Sequence, residues 1–264
     1  MKKKMMSLAA RTMGRVLASI LLVAGTAAGG EITVMLSGGF TAPYEQVVPE
    51  YEHATQSKVV TVSGASMGGA PDSIPMRLER GEPADVVIMA SPALNDLIKQ
   101  GKVVAGSRVD LVRSNIGMAV RAGAPKPDIS SVEALKRALL EAKSIAYSAS
   151  ASGIYLSTEL FPRLGIADQI KDKCQRIESE RVGTVVARGD AEIGFQQISE
   201  LLPIKGIDYV GPLPPEVQRV TVFSAGVAVG SKDPAAARAL IQFLVSAAVR
   251  SAIRKSGLEP ATSQ

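Results

Sequence analysis

Four short stretches of small residues carry the clearest chemical signal in this sequence of 264 residues. They read SGGF (37–40), SGASMGGAPDS (63–73), SASASGIY (148–155) and ERVGTVV (180–186). Serine hydroxyls and backbone N–H groups can hold an anion without a cation being present, and glycine lets a ligand approach the backbone. The sequence therefore predicts an anion site built mainly from hydroxyls and peptide amides.

Each of these stretches follows a predicted strand and opens a predicted helix. The preceding strands read EITVML (31–36), SKVVTVSG (57–64), SIAYS (144–148) and CQRIES (174–179). In open α/β sheets ligands bind beyond the carboxyl ends of the strands, so we expect the turns to meet at one cleft. For SGGF taken alone, a plain strand-to-helix turn is an equal alternative.

The residue types that metal binding or nucleophilic catalysis would need are scarce. His53 is the one histidine and Cys174 the one cysteine, and neither has a suitable partner nearby in the sequence. SGGF matches neither G-x-G-x-x-G nor a lysine-containing phosphate loop. We therefore predict no metal and no cofactor, and the single cysteine excludes an internal disulfide.

Two lobes are predicted to position the turns. Strand and helix patterns alternate along the chain after residue 30, which favours α/β architecture with mostly parallel sheets flanked by helices. Two long extended segments, 109–120 and 217–230, are interpreted as crossover strands that form a hinge. Lobe 1 is then predicted to comprise residues 31–112 plus 224–264, and lobe 2 residues 113–223. One continuous doubly wound sheet is the alternative.

Helix boundaries are predicted from proline and capping residues. A helix over 41–55 contains Pro49, which should kink or break it. Ser91 is predicted as the N-cap of a second helix, and Ser130 begins a capping box at a third. The last helix is predicted to span 233–256.

Residues 1–30 are predicted to be a secretory signal peptide. Five basic residues precede or flank an apolar stretch over 16–24, and small residues follow it. That stretch is shorter than the roughly 20 residues needed to cross a bilayer. Because the net charge of +5 equals the five bases of this segment, the remaining chain is about neutral. Nucleic acid and anionic membranes are therefore not expected as partners.

Five stretches, in this order along the chain, resemble a known family. They are AGTAAGGEITVMLSGGFTAPYEQVVPEYE, RLERGEPADVVIMAS, ASGIYLSTELFPRLG, ARGDAEIGFQQISEL and IRKSGLEP. Together they resemble the periplasmic molybdate-binding proteins of ABC importers, the ModA family. The resemblance implies a two-lobed type II periplasmic binding fold that closes on a small oxyanion. It also implies a location in the periplasm and an ABC permease in the inner membrane as partner.

The resemblance further implies a set of ligand-binding positions. The family's first ligand serine falls at Gly39, and its second-turn serines fall near Ser66, where MGGAP adds length. Its small residue before G-I-Y is Ser152, its valine amide falls at Val182, and its tyrosine hydroxyl falls at Gln197. These differences suit a larger or differently shaped anion, including a small carboxylate, which Arg181 could pair with; a solvent-exposed charge is the alternative for Arg181. The full candidate set is Ser37, Gly38, Gly39, Ser66, Met67, Ser152, Gly153, Arg181, Val182 and Gln197.

Two functions fit this pattern. A non-catalytic, monomeric solute receptor of an ABC importer is favoured, because no catalytic constellation is evident. The alternative is an aconitate isomerase, since some periplasmic aconitate isomerases are similar to ModA proteins. That enzyme moves a proton between two carbons of a tricarboxylate and needs a base and an acid. Serines of the turns, Arg181 and Tyr155 could serve it, but no spacing identifies the base.

Overall fold

The computed structural model describes residues 30–261, so most of the predicted signal peptide lies outside the described residues. The first part of the chain forms β1 (Glu31–Leu36), α1 (Thr41–Thr55), β2 (Lys58–Ser63), α2 (Ile74–Glu79), β3 (Val86–Ala90), α3 (Ser91–Lys99) and β4 (Val109–Ser114). The middle part forms β5 (Ile116–Arg121), α4 (Val132–Glu141), β6 (Ile145–Ser148), α5 (Ala151–Tyr155), α6 (Phe161–Arg163), α7 (Ala167–Ile170), β7 (Cys174–Ile177), α8 (Val182–Arg188), β8 (Ile193–Gln197), α9 (Ile198–Leu201) and β9 (Ile207–Pro212). The last part forms β10 (Thr221–Val227), α10 (Pro234–Leu244), α11 (Arg250–Lys255) and β11 (Glu259–Pro260).

The strands form two separate sheets, which confirms the predicted two-lobed α/β fold. The first sheet has six strands in the order β11-β4-β10-β3-β1-β2, and the second has five in the order β7-β6-β8-β5-β9. Both sheets are mixed rather than mostly parallel. β1 runs parallel to β2 and β3, but β10 runs antiparallel to β3 and β4, and β5 runs antiparallel to β8 and β9. The antiparallel pairs all involve strands next to the crossovers or at an edge, where the chain enters a sheet from the other lobe.

The chain passes between the sheets at two places. It leaves the first sheet at Asn115, between β4 and β5, and returns between β9 and β10. Gln218 on the returning segment bridges to the outgoing one, because its Nε2 donates to the Ile116 carbonyl and its Oε1 accepts from the Ile116 N–H, both at 2.9 Å. These two hydrogen bonds therefore hold the two crossing segments together. The predicted lobe limits at 112/113 and 223/224 remain predictions.

Helix α1 runs unbroken through Pro49, so the predicted break is wrong. Pro49 lies on the exposed side, while Tyr44, Val47, Val48 and Tyr51 pack into the core on the other side. Packing of this apolar face holds the helix together across a residue that cannot donate a backbone hydrogen bond.

Three other helix ends differ from the predictions. The single final helix is divided into α10 and α11, each of which buries its own apolar residues. At α4 the N-cap is Ser131 rather than Ser130, and its hydroxyl accepts from the Ala134 N–H at 3.1 Å. Ser91 is the first residue of α3, and its hydroxyl donates to the Val222 carbonyl instead of capping the helix. Tertiary contacts decide these ends.

Each lobe has its own apolar core. In the first lobe Val34, Ile88 and Ala225 are fully buried between the sheet and helices α1 and α10, and in the second Ile116 and Leu156 are equally buried. Within residues 30–261 no single helix is long and apolar enough to cross a membrane. One bent pair, α10 with residues 247–255, meets the length and composition requirement only jointly.

Candidate functional site

A cavity of about 170 Å³ lies between the lobes. Residues from all four predicted turns line it, so the turns do converge as the sequence predicts. The lining residues are Ser37, Gly38, Thr41, Ser63, Gly64, Ala65, Asp72, Ser148, Ala149, Ser150, Ala151, Ser152, Ile177, Glu178, Ser179, Glu180, Arg181, Gln196, Gln197, Glu200 and Phe223. The volume is below the roughly 300 Å³ of the smallest drug-sized pockets, so it suits a small metabolite.

The turns reach the cavity because they follow strands whose carboxyl ends point between the lobes. β1 and β2 lead into the turns of the first lobe, and β6 and β7 lead into those of the second. β8 adds a fifth contribution, because Gln196 and Gln197 end that strand and Glu200 lies on the short helix α9 that follows. The sheets therefore place one polar rim from each lobe around the same space.

Half of the predicted ligand-binding residues line the cavity: Ser37, Gly38, Ser152, Arg181 and Gln197. Ser152 is buried, and its hydroxyl exchanges a hydrogen bond with that of Ser148 at 3.1 Å. The Gln197 Nε2 donates to Thr221 Oγ1 at 3.1 Å, while its buried Oε1 has no hydrogen-bond partner within residues 30–261. Gln197 thus has one unpaired acceptor, which only a hydrogen-bond donor could satisfy.

Ser66 and Val182 are predicted ligand residues that lie outside the cavity lining. The Ser66 hydroxyl donates to Ser37 Oγ at 2.7 Å and accepts from the Ala90 N–H at 2.9 Å. The Val182 N–H donates to Gln196 Oε1 at 2.9 Å. Both groups are buried and already hydrogen-bonded within the protein, so they support other residues of the site.

Gly39, Gly153 and Met67 also lie outside the lining. A Cβ on Gly39 would lie 2.1 Å from the Phe223 ring, and a Cβ on Gly153 would lie 1.6 Å from the Ser148 carbonyl oxygen. These glycines are therefore explained by close packing of the turns. Met67 packs against the apolar cores of the first lobe. The Tyr155 hydroxyl, suggested for the isomerase, donates to the Val217 carbonyl at 2.7 Å and is not part of the lining either.

Glu200 is a cavity residue that lies outside the predicted set. Its Oε1 accepts from Gln196 Nε2 at 2.9 Å. The carboxyl group also lies directly against the first lobe, since a Cβ on Gly38 would lie 2.1 Å from the same oxygen. The neighbouring Ser199 hydroxyl donates to the Gly39 carbonyl at 2.8 Å. Helix α9 of the second lobe is thereby fixed on the first turn of the first lobe.

Burial raises the pKa of Glu200 to about 7. The Arg181 guanidinium, the Gln196 amide and the Gln197 backbone N–H oppose this rise, because each favours the ionised carboxylate. Part of the residue's surface remains open to the cavity. A carboxyl group that is ionised and protonated in similar amounts near neutral pH can both accept and return a proton.

The other charged side chains of the cavity differ in whether they have an ion-pair partner. Glu178 and Glu180 each pair with an arginine outside the lining, at 3.3 Å to Arg176 and 2.7 Å to Arg188. The side chain of Arg181, which is half-buried, has no salt bridge or hydrogen bond to any residue of the described range 30–261. It is therefore a cation of the cavity wall that is available to an anionic ligand. The same range holds no cluster of three or more His, Cys, Asp or Glu residues that could bind a metal.

Replacing Ser66 by alanine is expected to lower the free energy of unfolding by about 1–3 kcal/mol, because the buried Ala90 N–H loses its acceptor. Ser37 would also lose the donor that orients its hydroxyl. Chemical denaturation of the purified variant measures this, with Ser130→Ala at an exposed loop position as the control. An unchanged unfolding free energy in Ser66→Ala would contradict the supporting role given to Ser66.

Comparisons with known proteins agree with this architecture. Residues 32–259 match the family model for bacterial extracellular solute-binding proteins. The chain is 49% identical to an aconitate isomerase from a Pseudomonas species, over 88% of this chain and 89% of that protein. It is 28% identical to the molybdate-binding protein ModA of Azotobacter vinelandii, over 84% of this chain and 87% of that protein.

A solved structure of the periplasmic molybdate-binding protein from Azotobacter vinelandii superposes with a TM-score of 0.70 at 21% identity. The match covers 88% of this chain and 100% of that one, and it confirms the fold expected from the resemblance. With the family model matching nearly the whole described range, this chain belongs to the bacterial extracellular solute-binding proteins.

Proposed function

We propose that this protein is an aconitate isomerase, which interconverts cis- and trans-aconitate in the cavity between the lobes. The observation that carries the proposal is Glu200, a carboxyl group at the cavity wall whose pKa is raised to about 7 by burial. The 49% identity to an aconitate isomerase over most of both chains supports the same reaction.

The proposed reaction is a proton shift along three carbons. The ionised Glu200 removes a proton from the methylene carbon of aconitate, and the electron pair of that C–H bond forms the new double bond. The electrons of the old double bond take up a proton at the other terminal carbon, and protonated Glu200 is the acid that supplies it. One C–H bond breaks, one forms and the double bond moves, so no oxidant, reductant or cofactor is consumed.

Substrate binding in this proposal relies on one cation and several neutral donors. Arg181 pairs with one carboxylate of aconitate, and the hydroxyls of Ser37 and Ser152 and the backbone N–H groups of their turns hold the others. Contacts from both lobes favour the closed state, which excludes water from the carbanion.

Two features count against tight binding of a tetrahedral oxyanion. The Val182 N–H, which the resemblance assigns to the ligand, is occupied by Gln196. Glu200 adds a carboxyl group to the wall where a doubly charged anion would bind, and partial ionisation near neutral pH would repel that anion. Aconitate meets the same repulsion, but an isomerase needs the ionised carboxylate as its base, whereas an oxyanion receptor has no use for it.

A solute receptor for an ABC importer is the second candidate, favoured by the family match and by the ligand-sized cavity between two lobes. In that case lobe closure on a small carboxylate is read by a permease in the inner membrane. For either function we propose export to the periplasm by residues 1–30 and action as a monomer.

Purified protein incubated with cis-aconitate in D2O is expected to form trans-aconitate, as followed by proton NMR. Deuterium enters the product only to the extent that protonated Glu200 exchanges with solvent before it returns the proton. A melting-temperature panel with both aconitates, citrate, molybdate, tungstate, sulfate and phosphate runs beside it, since a ligand of the folded form raises the melting temperature. A rise with aconitate but no turnover would replace the isomerase by the receptor. A rise with molybdate alone would reject both the reaction and the carboxylate ligand.

A further inference from the structure

The Gln196 side chain forms hydrogen bonds with both the Val182 N–H and the Glu200 carboxylate. Gln196 lies on β8 and is buried. Its Oε1 accepts from the Val182 N–H, and its Nε2 donates to Glu200 Oε1, both at 2.9 Å. The backbone N–H of Val182 can only donate, so the oxygen end of the Gln196 amide must face it. The NH2 end is therefore committed to Glu200.

We propose that Gln196 is a positioning residue for Glu200: anchored by the Val182 N–H, it holds the carboxylate against Gly38 and stabilises its ionised form. This inference rests on the proposed function, in which ionised Glu200 is the base. In this inference Gln196, on the adjacent strand β8, supports the base. Because Gln196 also accepts from the Val182 N–H, that predicted ligand group is not available to the ligand.

The surroundings of Glu200 make this hydrogen bond consequential. Helix α9 packs against the turn at 38–40, α1, β5, β8 and α8. Among the charged groups of these neighbours, Arg181 at the start of α8 is the one whose field acts on the carboxylate. Asp72, Glu178 and Glu180 line the same cavity, and the two glutamates are paired with arginines. With one cation nearby, a neutral donor at 2.9 Å is a substantial part of what keeps Glu200 ionised.

The test is a pH titration of the Glu200 carboxyl carbon by carbon-13 NMR in the ligand-free protein, paired with the pH dependence of kcat/KM for cis-aconitate. In Gln196→Met, which keeps the side-chain length but donates nothing, we expect the pKa of Glu200 to rise by about one unit or more. At pH 7 kcat/KM should then fall about fivefold or more, and at high pH it should recover to within a few-fold of wild type.

Gln196→Glu separates the two hydrogen bonds. Its carboxylate still accepts from Val182, so the fold keeps this contact, but it places a second acid beside Glu200. The first protonation of the resulting pair is expected to occur at a higher pH than that of Glu200 in wild type. Gln175→Met, in which a glutamine on β7 that donates to the Asp190 carbonyl is changed, is the matched control and should leave both profiles unchanged.

The outcomes separate this inference from the proposed function. If the titration of Glu200 is unmoved in both Gln196 variants, or if kcat/KM drops equally at every pH, the positioning role is wrong even though the isomerase stands. If wild type does not turn over but the titration shifts as expected, the isomerase falls and the link between Gln196 and Glu200 remains. Should Gln196→Met fail to fold, Gln196→Glu alone decides.

Discussion

Replacing Glu200 by glutamine is expected to lower kcat for aconitate isomerisation by about 10²- to 10⁴-fold, the usual contribution of a positioned general base. The amide keeps the size of the side chain and can still contact Gln196 and the turn at Gly38. It cannot accept a proton from carbon. Initial rates with cis-aconitate at pH 8 measure the loss, and binding of a saturated tricarboxylate, which cannot undergo the proton shift, should be retained.

The pH profile of the wild-type enzyme gives the same assignment independently. Because the base must be ionised, kcat/KM should rise with pH through the pKa of Glu200 at about 7 and level off above it. In Glu200→Gln this rise should disappear from the residual activity. A wild-type kcat/KM that does not change between about pH 5.5 and 8.5 would exclude Glu200 as the base.

Stability is the control that separates chemistry from folding. Because the pKa of Glu200 is raised above 4.5, the unfolded chain binds fewer protons than the folded one between about pH 4.5 and 7. Wild-type stability should therefore fall as the pH rises through this window, by up to about 3 kcal/mol from this group. Glu200→Gln should be more stable than wild type at pH 8 and lose that advantage near pH 4. Reduced stability at pH 8 would point to a structural role.

The sequence predicts well the strands and turns that form the site, because local sequence signals specify them. Strands such as EITVML at β1 are short and largely apolar, and turns of small residues follow four of them. Since the carboxyl ends of such strands face the same side, the convergence of the turns follows from the alternation of strands and helices alone. Ser37, Gly38 and Ser152 line the cavity for this reason.

The predictions that depend on long-range contacts are less complete. Ser66 has the same residue type and a similar turn to Ser37, yet it is turned inward to the Ala90 N–H. Nothing local distinguishes the two serines. Glu200 in QQISEL looks like an ordinary acidic residue at the start of a helix, and its contact with Gly38 lies 162 positions away in the sequence. Applying the rule of strand ends to β8 as well adds Gln196 and Glu200 to the predicted Gln197.

Glu200 is proposed as the base and Arg181 as the group that binds a substrate carboxylate, so replacing Arg181 should have a second large effect. Arg181→Met is expected to raise KM for cis-aconitate about 10- to 100-fold, because a charge-assisted hydrogen bond to a carboxylate contributes about 1.5–3 kcal/mol. The same change should raise the pKa of Glu200, since the Arg181 guanidinium favours its ionised form. The rise of kcat/KM with pH should therefore move to higher pH while KM increases.

Arg181→Lys distinguishes the two effects of the guanidinium. The ammonium group retains the positive charge, so the pH profile should stay near that of wild type, but it cannot form the paired hydrogen bonds of arginine, so KM should remain raised. Arg254→Met, which removes an exposed arginine from α11, controls for net charge. Calorimetric binding of a saturated tricarboxylate at pH 8 separates affinity from chemistry. An Arg181→Met protein that binds this compound as tightly as wild type would show that the substrate carboxylates lie elsewhere, and Arg181 would then keep only its effect on Glu200.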